Sequence, residues 1–288
     1  MKKRIYLINP TSNENFARRK WQQARKYIPE LPETPIDITH ITKLKDFIQK
    51  ETPEEIIIGG GDGTIHAVAQ AILDMKQKPI LGILPLGFGN ALAYCLEVDT
   101  LQKASLAFKK NQIKTIDVFT TTIPEFPLGI LTMGVGFDAR IVYSRMNYRY
   151  IGLRSYILSA MRSILEHQNR TISITIDRKV TIRGLASTLA ITNAPIIGRN
   201  YVIAEHAKLD DGLLDGILFS SHYAYLANLR LRGFKHPLYS EENKIYFTAK
   251  HLKIEGEYFA QVDGDPAYVT KPIEVEVIPK AITFLSNI

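Results

Sequence analysis

Residues Glu55 to Met75 set a glycine-rich turn between two runs of different periodicity, and that arrangement restricts what the chain can build. Glu55-Ile56-Ile57-Ile58 is a short apolar run that ends in glycine, the pattern of a buried strand. From Thr64 to Met75 apolar residues recur at helical spacing. Gly59-Gly60-Gly61-Asp62-Gly63 lies between them, where glycines let the backbone approach other groups without a Cβ in the way. Such a strand-to-helix turn can hold a phosphate on its N–H groups and on the helix N-terminus. A ligand-free tight turn would carry the same glycines. Two common phosphate motifs are absent: no lysine follows for a P-loop, and Thr64 and His66 stand where a dinucleotide fingerprint needs glycine.

The alternation extends on both sides. Arg4–Ile8, Ile36–Ile41 and Ile80–Leu84 read as strands, and Phe16–Tyr27, Lys43–Lys50, Ala91–Leu96 and Leu101–Lys110 as helices. Strand–helix alternation predicts an α/β domain with a parallel sheet over residues 1–115. After Lys114 short β-rich runs dominate: Thr115–Thr122, Leu128–Met133, Arg170–Asp177, Lys179–Arg183, Ser187–Thr192, Leu214–Phe219, Ile245–Thr248, Ile273–Val277 and Ile282–Leu285. They predict a β-sandwich-rich domain over residues 116–288, interrupted by a helical insertion near Ala139–His167. The last strand is free to return to the first domain.

A chain of 288 residues can form two cores, and 45% hydrophobic with 23% charged residues excludes a disordered chain. The apolar run after Met1-Lys2-Lys3-Arg4 stops at Asn9-Pro10, too short for a signal peptide, and no apolar segment is long enough for a membrane span. The single cysteine, Cys95, excludes an internal disulfide and suits a reducing cytosol. A net charge of +7 suits anionic partners: nucleotide, nucleic acid or acidic lipid. No nucleic-acid motif is present, and the histidines lack metal-ligand spacing.

Four stretches carry a resemblance. They are Asn9-Pro10-Thr11-Ser12-Asn13 after the first strand, the Gly-Gly-Asp-Gly-Thr turn at residues 60–64 with the loop Pro85-Leu86-Gly87-Phe88-Gly89-Asn90, Asp211-Gly212-Leu213-Leu214-Asp215, and Val262-Asp263-Gly264-Asp265. In this order they resemble the diacylglycerol kinase and sphingosine kinase family, whose first domain is NAD kinase/phosphofructokinase-like. The resemblance implies a magnesium-dependent transfer of the ATP γ-phosphoryl to a hydroxyl of a diacylglycerol-like or sphingoid lipid. It implies ATP contacts at Asn9, Pro10, Thr11, Ser12, Asn13, Thr39, Gly60, Gly61, Asp62, Gly63, Thr64, Ile65, His66, Ala67 and Phe88. It further implies that Asp62 orients magnesium, that Asp263 and Asp265 form the catalytic pair with Asp265 as proton acceptor, and that a second magnesium sits on Asp211 with the main-chain oxygens of Lys208 and Leu213. Oxygen-only ligation suits that ion. The implied location is cytoplasmic and peripheral to a membrane, and a homo-oligomer is compatible with the sequence.

The pattern also departs from the family. Phe88 replaces a Thr or Ser, His66 an Asn, Ala67 a Glu, and Asp265 a Glu one methylene longer. These changes leave a second class open, a catalytically weak lipid- or nucleotide-binding regulator of the same fold, and a third, a kinase for a soluble acceptor. Turn chemistry alone would also account for Asp263-Gly264-Asp265-Pro266 as a hairpin and for Asp62 as a helix cap. Finally, Arg140, Arg145, Arg149, Arg154, Arg162 and Arg170 are interspersed with Tyr143, Tyr148, Tyr150, Tyr156, Ile157 and Leu158. That mixture suits a membrane interface as well as a solvated basic face.

Overall fold

The computed structural model describes residues 3–13, 15–146, 154–198, 201–231 and 243–288. They fall into two compact units, Met1–Asp117 with Gly198–Asn200 and Lys280–Ile288, and Val118–Ile197 with Tyr201–Pro279.

The first unit is built on β1 (Arg4–Ile8), β2 (Ile36–Asp37), β3 (Glu55–Gly60) and β4 (Ile80–Pro85), parallel and in the order β2-β1-β3-β4. Every residue of β3 is buried, which is why its sequence shows no polar alternation. Helices α1 (Ala17–Ala24), α2 (Leu44–Glu51), α3 (Asp62–Ile72), α4 (Ala91–Cys95) and α5 (Leu101–Lys110) connect and follow the strands. The inward face of α3 is Ile65, Val68, Ala69 and Ile72, and α1 buries Ala17, Trp21 and Ala24. The strand expected over Ile36–Ile41 is only two residues long. Asp37 takes the Thr39 N–H on its side chain, and Ile38–His40 winds into a 3₁₀ turn instead.

In chain order the second unit continues with β5 (Ile113–Thr121), β6 (Leu128–Gly129), β7 (Thr132–Gly136), α6 (Phe137–Arg145), α7 (Arg154–Glu166), β8 (Arg170–Ile176), β9 (Val180–Ala186) and β10 (Thr188–Thr192). Then come β11 (Ile196–Ile197), β12 (Tyr201–Val202), β13 (Leu214–Phe219), α8 (His222–Asn228), β14 (Arg230–Leu231), β15 (Lys244–Ala249), β16 (His251–Glu255), β17 (Tyr258–Val262), β18 (Asp265–Val269) and β19 (Ile273–Leu285). One antiparallel sheet runs β15-β13-β10-β7-β17-β18, and a second layer runs β19-β16-β8-β9. Met133, Leu189, Leu214 and Val262 from the first meet Ile174, Leu252, Ile254 and Val275 from the second in one core.

Several elements differ from the sequence reading. Among the described residues the helical insertion holds two helices, α6 and α7. Leu128–Met133 is not one strand, because Ile130, Leu131 and Thr132 turn three successive N–H groups toward the Asp263 carboxylate, which an extended strand cannot do. β16, β17 and β18 were not expected as strands. Conversely, Ile273–Val277 and Ile282–Leu285 are one strand through Pro279. Lys280 takes a left-handed backbone (φ 49°), gives its N–H to Asp117 Oδ1 at 2.7 Å, and lets the strand bend and continue. Within the first unit its end pairs parallel with β4 through Phe284 and Leu81. Tyr148, Arg149 and Tyr150, and the side chains of Arg154 and Tyr156, lie outside the described residues.

Candidate functional site

In the first unit, all the residues assigned to nucleotide follow the carboxyl ends of parallel strands. Asn9–Asn13 follow β1, Thr39 follows β2, Gly60–Ala67 close β3 and open α3, and Phe88 follows β4. The strand order reverses between β1 and β3, where an open parallel sheet leaves a crevice. Short bonds knit the two flanking loops. Asn9 N–H donates to Gly59 O at 3.0 Å, Asn9 Oδ1 accepts from the N–H and hydroxyl of Thr11 at 3.1 and 2.7 Å, and the Ser12 and Thr64 hydroxyls lie 3.3 Å apart. The Thr39 hydroxyl donates to Asp37 Oδ1 at 2.6 Å. Ile65 is buried in the core, and its N–H donates to Gly61 O at 3.1 Å.

Gly87 is required here by close approach. A Cβ on Gly87 would lie 2.3 Å from the Gly61 Cα, so the β3 and β4 loops pack backbone against backbone. At Gly63 a Cβ would meet nothing within 4 Å, leaving open space over the first turn of α3. The Asp62 carboxylate accepts the N–H of Ala91 on Oδ2 and of Leu92 on Oδ1, each at 3.1 Å, and so caps α4. Asn90, which precedes that helix, has a left-handed backbone (φ 54°) and donates its amide to Gly87 O at 3.0 Å. Its buried Oδ1 has no hydrogen-bond partner, an acceptor suited to a donor such as metal-bound water. Phe88 is 41% exposed. Asn90 was missing from the residues assigned to the site; its place at the end of the Pro85–Asn90 loop was the available signal.

In the second unit, Asp263 and Gly264 are the central residues of a two-residue hairpin turn between β17 and β18, with φ values of 50° and 94°. Asp263 Oδ2 accepts from Ile130 N at 2.7 Å, and Oδ1 from Leu131 N and Thr132 N at 2.9 Å each. Asp265, at the start of edge strand β18, is exposed. Behind the turn runs a polar chain absent from the sequence reading. The Gln261 side chain is buried; its Oε1 accepts Gly264 N–H at 2.8 Å and its Nε2 donates to Asp138 Oδ2 at 3.0 Å. Tyr225 donates its hydroxyl to Asp138 Oδ1 at 2.6 Å. Burial pushes the Asp138 carboxyl above its ordinary range, against the two donors, and burial followed by the Asp138 charge pushes the Tyr225 hydroxyl well up. Gly134 makes the arrangement possible, since a Cβ there would lie 1.7 Å from Asp138 Oδ2.

Asp211 and Lys208 are exposed, and Leu213 N–H donates to Asp211 Oδ1 at 3.1 Å across Gly212 (φ 74°). Nearby Asp215 is buried and pushed up to about 6 by burial and then by the Asp211 charge; Tyr246 donates to it. Among the described residues no three His, Cys, Asp or Glu side chains gather around a possible ion. An ion at Asp211 would therefore lean on main-chain oxygens, a donor set that suits magnesium.

Comparison with known proteins follows the two-unit division. Residues 3–121 match the diacylglycerol kinase catalytic domain, and residues 131–286 match the YegS C-terminal NAD kinase beta sandwich-like domain. The chain is 25% identical over 307 residues to a Bacillus subtilis (strain 168) protein named diacylglycerol kinase, covering 97% of each. It is 28% identical over 243 residues to an uncharacterized Synechocystis protein, and that match spans 81% of this chain but only 55% of the other. Among solved structures, a putative diacylglycerol kinase from Bacillus anthracis superposes with a TM-score of 0.77 at 20% identity, covering 99% of this chain and 95% of that one. With both domains matched in order, the chain belongs to the diacylglycerol kinase-like family of lipid kinases, which are phosphotransferases.

Proposed function

We propose that this chain transfers the γ-phosphoryl group of ATP to a hydroxyl of a diacylglycerol-like or sphingoid lipid, with magnesium. The observation that carries this reading is the convergence of the Asn9–Asn13 and Gly60–Thr64 loops where the strand order reverses, joined through Ser12 and Thr64 and open at Gly63. Backbone N–H groups at the start of α3 suit the phosphates. Phosphoryl transfer is largely positioning and charge neutralisation, and magnesium, when bound, supplies the latter. Asp62 and Asn90 in the first unit are the groups that would hold the ion or its waters. Asp211 with the oxygens of Lys208 and Leu213 would hold the second ion. Asp265 is the exposed carboxylate suited to take the hydroxyl proton as the lipid oxygen attacks phosphorus and ADP leaves. Asp263, tied to three amides, holds the turn from which Asp265 projects.

One observation favours a second reading, a nucleotide-binding regulator: both Asp62 oxygens accept backbone amides. Incubation with γ-labelled ATP, magnesium and a panel of lipid and soluble alcohols separates the two. Labelled lipid phosphate is the expected product. Calorimetric binding of Mg-ATP with no transfer to any acceptor would replace the kinase by the regulator, and transfer only to a soluble alcohol would replace the acceptor.

A further inference from the structure

The second unit holds a cavity that the proposed transfer does not use. It opens among the start of α6, the end of α7, the strands β7, β8 and β17, and the link from β9 to β10. Its volume is about 70 Å³, several times what one water needs. The buried part of the lining is apolar, with Val135, Ile172 and Leu189. The rest is polar: Arg140, His167, Gln168 and Arg170, with the hydroxyl residues Ser187 and Thr188. Gly136 brings these groups together. Its φ is 93°, and a Cβ there would lie 2.2 Å from Ser187 O, so α6 starts directly against the β9–β10 link. Phe137 N–H donates to that same oxygen at 2.9 Å.

Thr188 is 1% exposed and lines the cavity, yet its buried Oγ1 has no hydrogen-bond partner. A hydroxyl left so is costly unless something in the cavity answers it. Ser187 is as buried, and its hydroxyl lies 3.2 Å from His167 Nε2. Charge then sets the sign of the occupant. The lining carries two guanidinium groups against the one carboxylate of Glu166. That carboxylate is shared between Arg140 at 2.6 Å and Arg162, which is not part of the lining, at 2.8 Å. Arg170 is exposed and has no ion-pair partner among the described residues. The Arg140 guanidinium is held 5.5 Å from the centre of the Phe259 ring at the cavity wall. The resulting positive field is felt inside: burial, then His222, Arg140 and Arg170, lower His167 to about 4.

Arginine forks match the oxygens of phosphate, and donors that converge from α6, α7, β8 and the β9–β10 link suit a tetrahedral oxyanion better than a flat one. We infer that this cavity is a phosphate site, taking inorganic phosphate or the phosphomonoester group of a small organic phosphate, with Arg140 and Arg170 on its oxygens and the Thr188 hydroxyl donating to it. The site is separate from the proposed proton acceptor. Phe259 lies near the start of β17 and Asp263 just past its end, roughly 13 Å apart at about 3.3 Å per residue. Neither the nucleotide loops nor phosphoryl transfer enters the inference.

The test uses the whole chain, isotope-labelled at histidine and titrated with inorganic phosphate against chloride of equal ionic strength. The His167 resonance is identified as the one absent from His167→Gln. Phosphate should shift it saturably and raise the pH at which it titrates from about 4, because a bound anion favours the imidazolium. Around that ring stand Arg140 on α6, Glu166 on α7, Arg170 on β8 and His222 on α8. Arg170→Gln should weaken the titration about tenfold or more, since it removes a charge-assisted bond. Thr188→Val should weaken it about threefold while the unfolding midpoint holds or rises, because a methyl replaces a buried hydroxyl that lacks a partner. Glycerol 3-phosphate, titrated in parallel, tells the two sources apart: tighter binding than phosphate assigns the site to an organic phosphate, weaker binding to the free ion. No saturable shift of His167 at millimolar phosphate, an equal titration in Arg170→Gln, or acetate acting as well as phosphate would overturn the inference. Because the reporter sits in the second unit, phosphate held on the nucleotide loops cannot imitate the result, and a failed transfer assay leaves it untouched.

Discussion

The chain Tyr225–Asp138–Gln261–Gly264 gives the Asp263–Asp265 turn a support that can be removed one piece at a time. Replacing Gln261 by Met keeps the length and burial of the side chain but deletes both of its polar bonds. The bond to the Asp138 carboxylate is worth about 1.5–3 kcal/mol and the bond from Gly264 about 0.5–1.5 kcal/mol, so Gln261→Met should destabilise by about 2–4.5 kcal/mol. That is a large part of the roughly 5–15 kcal/mol holding an ordinary domain together. Asp138→Asn acts on the same chain. Its single side-chain oxygen can accept from the Gln261 amide or from the Tyr225 hydroxyl but not from both, so at least one of the two bonds to the carboxylate is lost or reversed. Urea unfolding of both single variants and the double variant closes a cycle, and a shared network predicts an interaction energy of about 1 kcal/mol or more. Turnover should fall by more than KM changes, because the turn carries the proposed proton acceptor. Sign and pH also follow. The folded Asp138 pKa lies above the unfolded one, so the native protein loses stability as pH rises from near 3.9 through the folded value, and Asp138→Asn removes that loss. Additive unfolding energies, with kcat untouched in Gln261→Met, would refute the reasoning.

Three further outcomes are expected. Asp62→Ala should abolish transfer and also cost about 0.5–2 kcal/mol by uncapping α4; a variant with native stability in urea would show that the bonds to Ala91 and Leu92 carry nothing. Phe88→Thr should change the unfolding energy by less than a core substitution would, because Phe88 is 41% exposed, and should raise turnover with Mg-ATP; unchanged or lower turnover would mean that the missing hydroxyl has no role. Burial, then His222 and the charges of Arg140 and Arg170, lower His167 from 6.5 to about 4, so the folded state resists a proton that the unfolded chain accepts. Stability should therefore decline as pH falls from about 6.5 toward 4, and His167→Gln should flatten that slope; a native profile that is already flat over this window would contradict the assignment.

The sequence by itself determined the β3 turn and the sheet around it. An apolar run, three glycines and a helical period are all local signals, and the loop Pro85–Asn90 and the turn at Asp263–Gly264 are local in the same sense. What each side chain does was decided only in three dimensions. Asp62 caps a helix 29 residues further on, and Asp263 gathers amides more than 130 residues back; both partners follow from which strands become neighbours, which spacing along the chain does not encode. Asp138 and Gln261, 123 residues apart, meet because β17 pairs with β7, and because Gly134 on β7 leaves room for the carboxylate. Lys280 turns an apparent strand break at Pro279 into a bend through a bond to Asp117, a residue distant in sequence. Helix α7 shows the limit most plainly. Its sequence separates an apolar stripe from a serine stripe, but periodicity names two faces without saying which one turns inward, and packing chose the serines.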